Sequence, residues 1–243
     1  MRVHRVVMAT ALAAAFVPGS ASAEGLAGRW SLAVQGGTDV ELSGNVHEGG
    51  AGAVLGLPTR VESRSFKDVY GPGFRGQLSI GYGVGAAKEV FVRGSYYKMN
   101  ADTLQVGTVA GLVLNADFSE YKEWGGELGY RIHFGTTAFK PYVAPVVGLR
   151  FISKLPATFS VPAASVVLTD VPFYDKSTVG VFGGDLGFGY DVNKTIAIGI
   201  EAGLRYQTGL SGLEGLAGTG LEPINDTGSR WSVPLTATLT FRF

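Results

Sequence analysis

The chain has 243 residues, 20 basic and 20 acidic side chains, 37 glycines, 11% aromatic residues and no cysteine. A net charge of zero with no concentrated basic stretch excludes a nucleic-acid binder, whose affinity rests on clustered Lys and Arg. Without cysteine there are no disulfide staples and no thiolate metal sites, so burial and hydrogen bonds must hold the fold.

Taken in chain order, Met1 to Ala23 carry Arg2 and Arg5, an apolar stretch from Val6 to Val17 and the small residues Ser20-Ala21-Ser22-Ala23. This is the pattern of a secretory signal peptide, removed before Glu24, and its apolar run is too short to span a bilayer as a helix. Residues 24–243 are then expected to form one domain. Loss of Arg2 and Arg5 leaves 18 basic against 20 acidic residues, a net charge of −2. No later run of eighteen apolar residues exists, so a membrane role has to come from strands.

Eight segments alternate between apolar and polar residues with the period of a strand. The first, Arg29 to Thr38, points Trp30, Leu32 and Val34 one way; the second, Gly73 to Val84, sets Phe74, Leu78, Ile80 and Tyr82 against Arg75, Gln77 and Ser79. The third, Glu89 to Asn100, is mixed, because Phe91 and Tyr97 share the parity of Arg93 rather than that of Val90, Val92 and Tyr96. In the fourth, Trp124, Leu128, Tyr130, Ile132 and Phe134 oppose Glu123, Glu127, Arg131 and His133. The fifth (Phe139 to Phe151) opposes Tyr142, Gly148 and Arg150 to Val143, Val147, Leu149 and Phe151. The sixth (Thr178 to Val192) holds Asp185 against Phe182, Leu186, Phe188 and Tyr190, and the seventh (Ile196 to Tyr206) holds Glu201 and Arg205 against Ile198, Ile200, Leu204 and Tyr206. The last segment, Ser229 to Phe243, alternates without a miss and ends on phenylalanine, with Trp231, Leu235, Leu239, Phe241 and Phe243 on its apolar face. Each segment is close to the ~9–11 residues of a tilted membrane-spanning strand. Proline at 145 and 234 removes a ladder N–H, and bulges or shifted boundaries are expected there.

The connections alternate in length. Gly85 to Lys88, Gly135 to Ala138 and Asn193 to Thr195 are short turns, whereas Asp39 to Pro72, Ala101 to Asp117, Ile152 to Ser177 and Gln207 to Gly228 are long. Short periplasmic turns and long extracellular loops fit an up-and-down antiparallel transmembrane barrel of eight strands, an all-β fold. With the first strand running outward, Trp30, Tyr82, Tyr130 and Tyr190 fall at the periplasmic interface and Tyr96, Trp124, Tyr206 and Trp231 at the outer one, two belts of amphipathic rings.

The repeated aromatic-glycine strands (Gly81-Tyr82-Gly83, Gly129-Tyr130-Arg131, Gly187-Phe188-Gly189-Tyr190, Gly203-Leu204-Arg205) and the terminal Leu239-Thr240-Phe241-Arg242-Phe243 make residues 24–243 resemble the eight-stranded outer-membrane barrels of the OmpA transmembrane domain and the opacity-type surface proteins. The resemblance implies the outer membrane of a Gram-negative bacterium, contact with its lipid and lipopolysaccharide, and reading of Leu239, Phe241 and Phe243 by the barrel assembly machinery during insertion. Unlike the longest members of the OmpA family, this chain is expected to end at the barrel, with no residues left for a peptidoglycan-binding domain.

An eight-stranded barrel has room inside for side chains only. The inward charges Arg75, Arg93, Glu127, Arg131, Arg150, Asp185, Glu201 and Arg205 are therefore expected to form a lumen ion-pair network. A structural or adhesin-like surface role through the loops, non-enzymatic and without cofactor, is the leading expectation. The alternative is a narrow porin-like channel for small solutes, gated when Arg93 or Arg131 leaves its acid. A third reading, an outer-rim hydrolase, would need His47 with Ser43 and Glu48, and a solvated loop histidine is the simpler account of His47. With no cysteine and no histidine pair, no metal site is expected. The apolar loop stretches Val54 to Leu57, Val161 to Leu168 and Leu210 to Leu221 are expected to extend the strands as hairpins or to form a contact surface.

Overall fold

The computed structural model describes residues 25–134, 138–210, 220–225 and 228–243. The expected leader, most of the turn after Phe134 and most of the stretch from Leu210 to Leu221 lie outside the described residues.

Strand β1 (Trp30–Ser43) is followed by β2 (Asn45–His47), the hairpin β3 (Gly50–Val54) and β4 (Leu57–Val61), then β5 (Arg64–Ser65) and a single helical turn, α1 (Phe66–Val69). Next come β6 (Phe74–Gly85) and β7 (Lys88–Met99), the hairpin β8 (Leu104–Val109) and β9 (Leu112–Phe118), then β10 (Tyr121–His133) and β11 (Phe139–Ile152). A third hairpin, β12 (Leu155–Val161) and β13 (Val166–Tyr174), precedes β14 (Ser177–Asp191), β15 (Ile196–Gln207) and β16 (Arg230–Arg242).

Eight of these strands close on themselves in the order β1-β16-β15-β14-β11-β10-β7-β6. All neighbouring pairs are antiparallel. Every one of the eight alternating segments is a barrel strand, and each is 12 to 15 residues long. That exceeds what a tilted strand needs to cross hydrocarbon, so the strand ends stand clear of it. β1 runs on to Ser43 instead of stopping at Thr38, with one register shift, between Glu41 and Ser43.

The two prolines produce no bulge, contrary to expectation. Pro145 pairs with Gly184 and Pro234 with Asp39 in unbroken register. On the other side of each, the ladder loses two pairs and resumes without slipping: Gly129↔Val146 is followed by Ile132↔Val143, and Ala202↔Leu235 by Arg205↔Ser232. The missing N–H is absorbed by a local gap because the flanking apolar faces fix the register.

The long connections fold into a cap. Their strands form a six-stranded sheet, β13-β12-β9-β8-β4-β3, with β2 and β5 paired beside it. The turns Leu55-Gly56 and Ala110-Gly111 both have positive φ at their two central residues, the geometry of two-residue hairpins, with glycine in the second place of each. The cap has its own apolar core, including Val46, Phe66, Val106, Ala116, Phe118, Leu155, Phe173 and Tyr174. That core continues into Tyr97, Met99, Ile152 and Val179 at the upper ends of barrel strands.

Candidate functional site

Strand parity puts all eight anticipated charges, Arg75, Arg93, Glu127, Arg131, Arg150, Asp185, Glu201 and Arg205, inside the barrel, and all are buried. The buried set is larger. Among the described residues it has eight cations (these five arginines with Lys140, Arg230 and Arg242) and seven acids (the three above with Asp39, Glu89, Glu123 and Asp191). Burial of so many charges is tolerable only where each is paired and hydrogen-bonded.

The pairs stack in levels from the long-loop rim to the short-turn rim. At the top, Arg75 grips Asp39 through two contacts of 2.5 Å and also donates to Glu123 at 2.9 Å. Glu123 accepts from Tyr121 at 2.8 Å and from Arg230 at 2.9 Å. In the middle, Glu127 accepts from Arg150 at 2.5 Å and Arg205 at 2.8 Å. Arg93 donates to Asp185 at 2.9 Å and Glu201 at 3.1 Å. Below them, Arg131 donates to Glu89 at 2.6 Å, Ser31 donates to the same carboxylate, and Tyr142 donates to Glu201 at 2.9 Å. At the base, Asp191 accepts from Lys140 and Arg242 at 2.6 and 2.5 Å.

Some of these contacts join neighbouring strands and others cross the lumen. β7 and β15 are four strands apart in a ring of eight, as are β16 and β10, so Arg93 to Glu201 and Arg230 to Glu123 each span the diameter. The mixed parity of the third segment also finds its cause here: Phe91 and Tyr97 face inward as platforms for cations. Arg93 and Arg131 sit 5.0 and 4.6 Å from the Phe91 ring centre, and Arg75 sits 4.7 Å from that of Tyr97. Gly129 makes room for that platform, since a Cβ there would lie 2.2 Å from the Phe91 ring. Near the base, a void of about 30 Å³ among Glu89, Arg131, His133, Tyr142 and Arg242 has room for about one water.

The upper mouth is covered. Phe66 of α1 lies over the Arg230 guanidinium at 4.6 Å and packs edge-on against Tyr121 at 5.8 Å. His47, expected in solvent, is instead buried in the cap, stacked on Phe118 at 5.9 Å with Phe173 edge-on at 6.2 Å. Burial pushes its pKa below the usual imidazole value. Its Nδ1 faces the Glu48 carbonyl oxygen at 3.2 Å, so the ring is packed on phenylalanines rather than aimed at a nucleophile.

The outside of the barrel is the inverse of the inside. Val34, Leu78, Ile80, Val92, Leu128, Val147, Leu186, Ile200, Leu204 and Leu235 are all exposed around its waist. Trp30 and Tyr82 pack together near the short-turn rim at 5.0 Å; Phe182, Tyr206 and Trp231 form a chain near the loop rim, with centroid distances of 4.7 and 5.1 Å. Tyr96 and Trp124 are exposed there too, Tyr130 and Tyr190 are half-buried, and Leu239, Phe241 and Phe243 face outward on β16 and beyond it.

A closed barrel with hydrocarbon on its outer face, paired charges within and aromatic rings toward both rims is a transmembrane β-barrel of the bacterial outer membrane. No family model matches the sequence, and no curated protein matches it. Among solved structures the chain is similar to Neisserial surface protein A, with 17% identity, a TM-score of 0.43 and coverage of 89% of this chain and 98% of that one. It is also similar to Ail, the attachment invasion locus protein of Yersinia pestis (12%, 0.41, 90% and 100%), and to the outer membrane protein OprG of Pseudomonas aeruginosa (12%, 0.40, 91% and 99%).

Proposed function

We propose that this is a non-enzymatic surface protein in which the barrel is a closed anchor and the cap makes contact with a partner. In this reading the short turns face the periplasm, the cap faces outward, and the outward Leu239, Phe241 and Phe243 are the signal read during barrel insertion. One observation carries the proposal. Ion pairs span the lumen at its upper and middle levels, while the cap ends in three hairpin tips with exposed aliphatic side chains: Leu55 and Leu57, Leu112 and Val113, and Val166 to Leu168. The stretches 49–59, 103–116 and 155–169 that form these tips contain no charged residue. Contiguous exposed apolar surface of this kind marks interaction sites.

The test has two arms. The refolded protein, with barrel closure checked by its heat-modifiable gel shift, is expected to be electrically silent in a planar bilayer. Bacteria displaying it are expected to adhere to a target surface, and Leu55→Asp with Val167→Asp to lose that adhesion. Discrete current steps from the folded protein, or adhesion unchanged in the tip variants, would overturn the reading. The alternative narrow conduit draws on Arg93, which faces Glu127 as well as Asp185 and Glu201 and so has carboxylates to exchange between. Current steps abolished by Glu127→Gln with Asp185→Asn would select it.

A further inference from the structure

The lipid-facing wall is not uniform around the barrel. β7, β10, β11 and β14 are consecutive in the ring, and their pairing lines up one row of outward side chains at the loop rim. Lys98 is directly opposite Lys122. The Ser153 amide donates to the Lys122 carbonyl at 3.0 Å, placing Ser153 next in the row. Ile152 pairs with Ser177, so Lys176, one residue earlier, continues it. One step below, toward the waist, the same strands present Tyr96 opposite Trp124 and Trp124 opposite Phe151, the last two rings 5.7 Å apart. On the other half of the barrel the outward described residues near this rim are Tyr206, Thr208, Trp231, Val40, Leu42 and Phe74, none of them charged.

Two lysines directly opposite one another on neighbouring strands repel. A single carboxylate, Glu120, holds them together, 2.6 Å from each ammonium. Those two contacts keep its carboxyl down at about 2, Lys122 contributing first and Lys98 second. Lys154 is one step higher and pairs with Asp175 at 3.2 Å. Lys98, Lys122, Lys154 and Lys176 against Glu120 and Asp175 leave this sector a charge of +2, and its lysines are 37% (Lys98), 43% (Lys122) and 64% (Lys154) exposed at the side chain. An excess of flexible cations directly above an aromatic row, confined to half the circumference, is complementary to an anionic headgroup with acyl chains below it.

We infer that Lys98, Lys122 and Lys176 bind the phosphorylated headgroup of a membrane lipid whose chains lie over Tyr96, Trp124 and Phe151. The site is independent of whatever the cap contacts. A free phosphate would use the lysines but gain nothing from the aromatic row, and the row is what commits the site to a lipid.

The test uses the full refolded protein in phosphatidylcholine nanodiscs, with Trp30→Phe and Trp231→Phe leaving Trp124 as the reporter. Brominated-chain phosphatidic acid at a small mole fraction is expected to quench Trp124 more strongly than brominated diacylglycerol at the same fraction. Lys98→Gln, Lys122→Gln and Lys176→Gln should each lower that enrichment about fivefold. Glu120→Gln should raise it, because both ammoniums lose their internal counterion; a lysine pair with only a structural role would show no such gain. Equal quenching by the two lipids, a fall rather than a rise in Glu120→Gln, or displacement by inorganic phosphate at concentrations equal to the lipid would each overturn the inference. Folding of every variant is read from the gel shift, and Glu120→Gln alone decides the question if a lysine variant fails to close.

Discussion

In the lumen, Arg93 reaches Asp185 and Glu201 across the barrel, whereas in the cap Phe118 and Phe173 close around His47 and a cluster of aliphatic side chains. Both interiors are filled by buried side chains. They differ because of what surrounds them. The wall of the barrel faces hydrocarbon, so moving an apolar side chain from outside to inside gains little, and the inside is free to be held by directional polar contacts. The cap stands in water, where burying hydrocarbon is the main driving force. The same chain therefore uses the hydrophobic effect above the membrane and ion pairing within it.

The largest expected effect comes from removing the acid at the centre of the lumen. Glu127→Leu leaves Arg150 and Arg205 buried without that carboxylate and should cost roughly 3–5 kcal/mol, read from urea unfolding of the barrel in lipid vesicles. A smaller loss tells the two interiors apart by location. Phe173→Ala should destabilise the cap by about 3 kcal/mol and expose it to protease while the heat-modifiable barrel band stays intact. If the barrel unfolds together with the cap, the two are one cooperative unit and the contrast drawn above fails.

Acid should also act on the cap. Burial lowers the pKa of His47 in the folded state, so below the unfolded imidazole value of about 6.5 the unfolded chain binds more protons than the folded one. Cap stability is therefore expected to be level above that pH and to fall as pH drops below it, and His47→Gln should flatten the curve. Protease susceptibility of the cap between pH 7.5 and 5 measures this. The smallest effect belongs to the tips. Leu55→Asp, at a side chain 90% exposed, should change stability by no more than about 0.5 kcal/mol, so any loss of adhesion in that variant reports contact rather than folding.

Much of the barrel is legible in the sequence because a strand with lipid on one side and a polar lumen on the other alternates strictly. The eight inward charges followed from parity alone. Asp39 did not, because Gly36-Gly37 interrupts the alternation and hides that β1 continues past Thr38. Partner choice was beyond reach too: Glu123 is shared by Arg75 and Arg230 from strands far apart in sequence. The cap was least legible. Its strands are short, some with water on one face and core on the other and some, such as β13, exposed on both at the tip, so no single period marks them. His47 has Asn45, Glu48 and Gly49 around it and reads as solvated; the phenylalanines that bury it arrive from β9 and β13.

The ring is sealed where β1 meets β16, and at its base the Trp30 amide donates to the Phe243 carbonyl at 2.9 Å while the Phe243 amide donates back at 3.0 Å. The contact that completes the sheet is thus among the most distant in sequence, which places this fold at the slow, high-contact-order end of the folding spectrum. Until β16 docks, β1 and β15 each present a row of unsatisfied N–H and C=O groups in a solvent that cannot satisfy them. A nascent barrel of this design needs those two edges sheltered by another sheet edge, and the shelter has to be released in the same step that lets Phe243 reach Trp30.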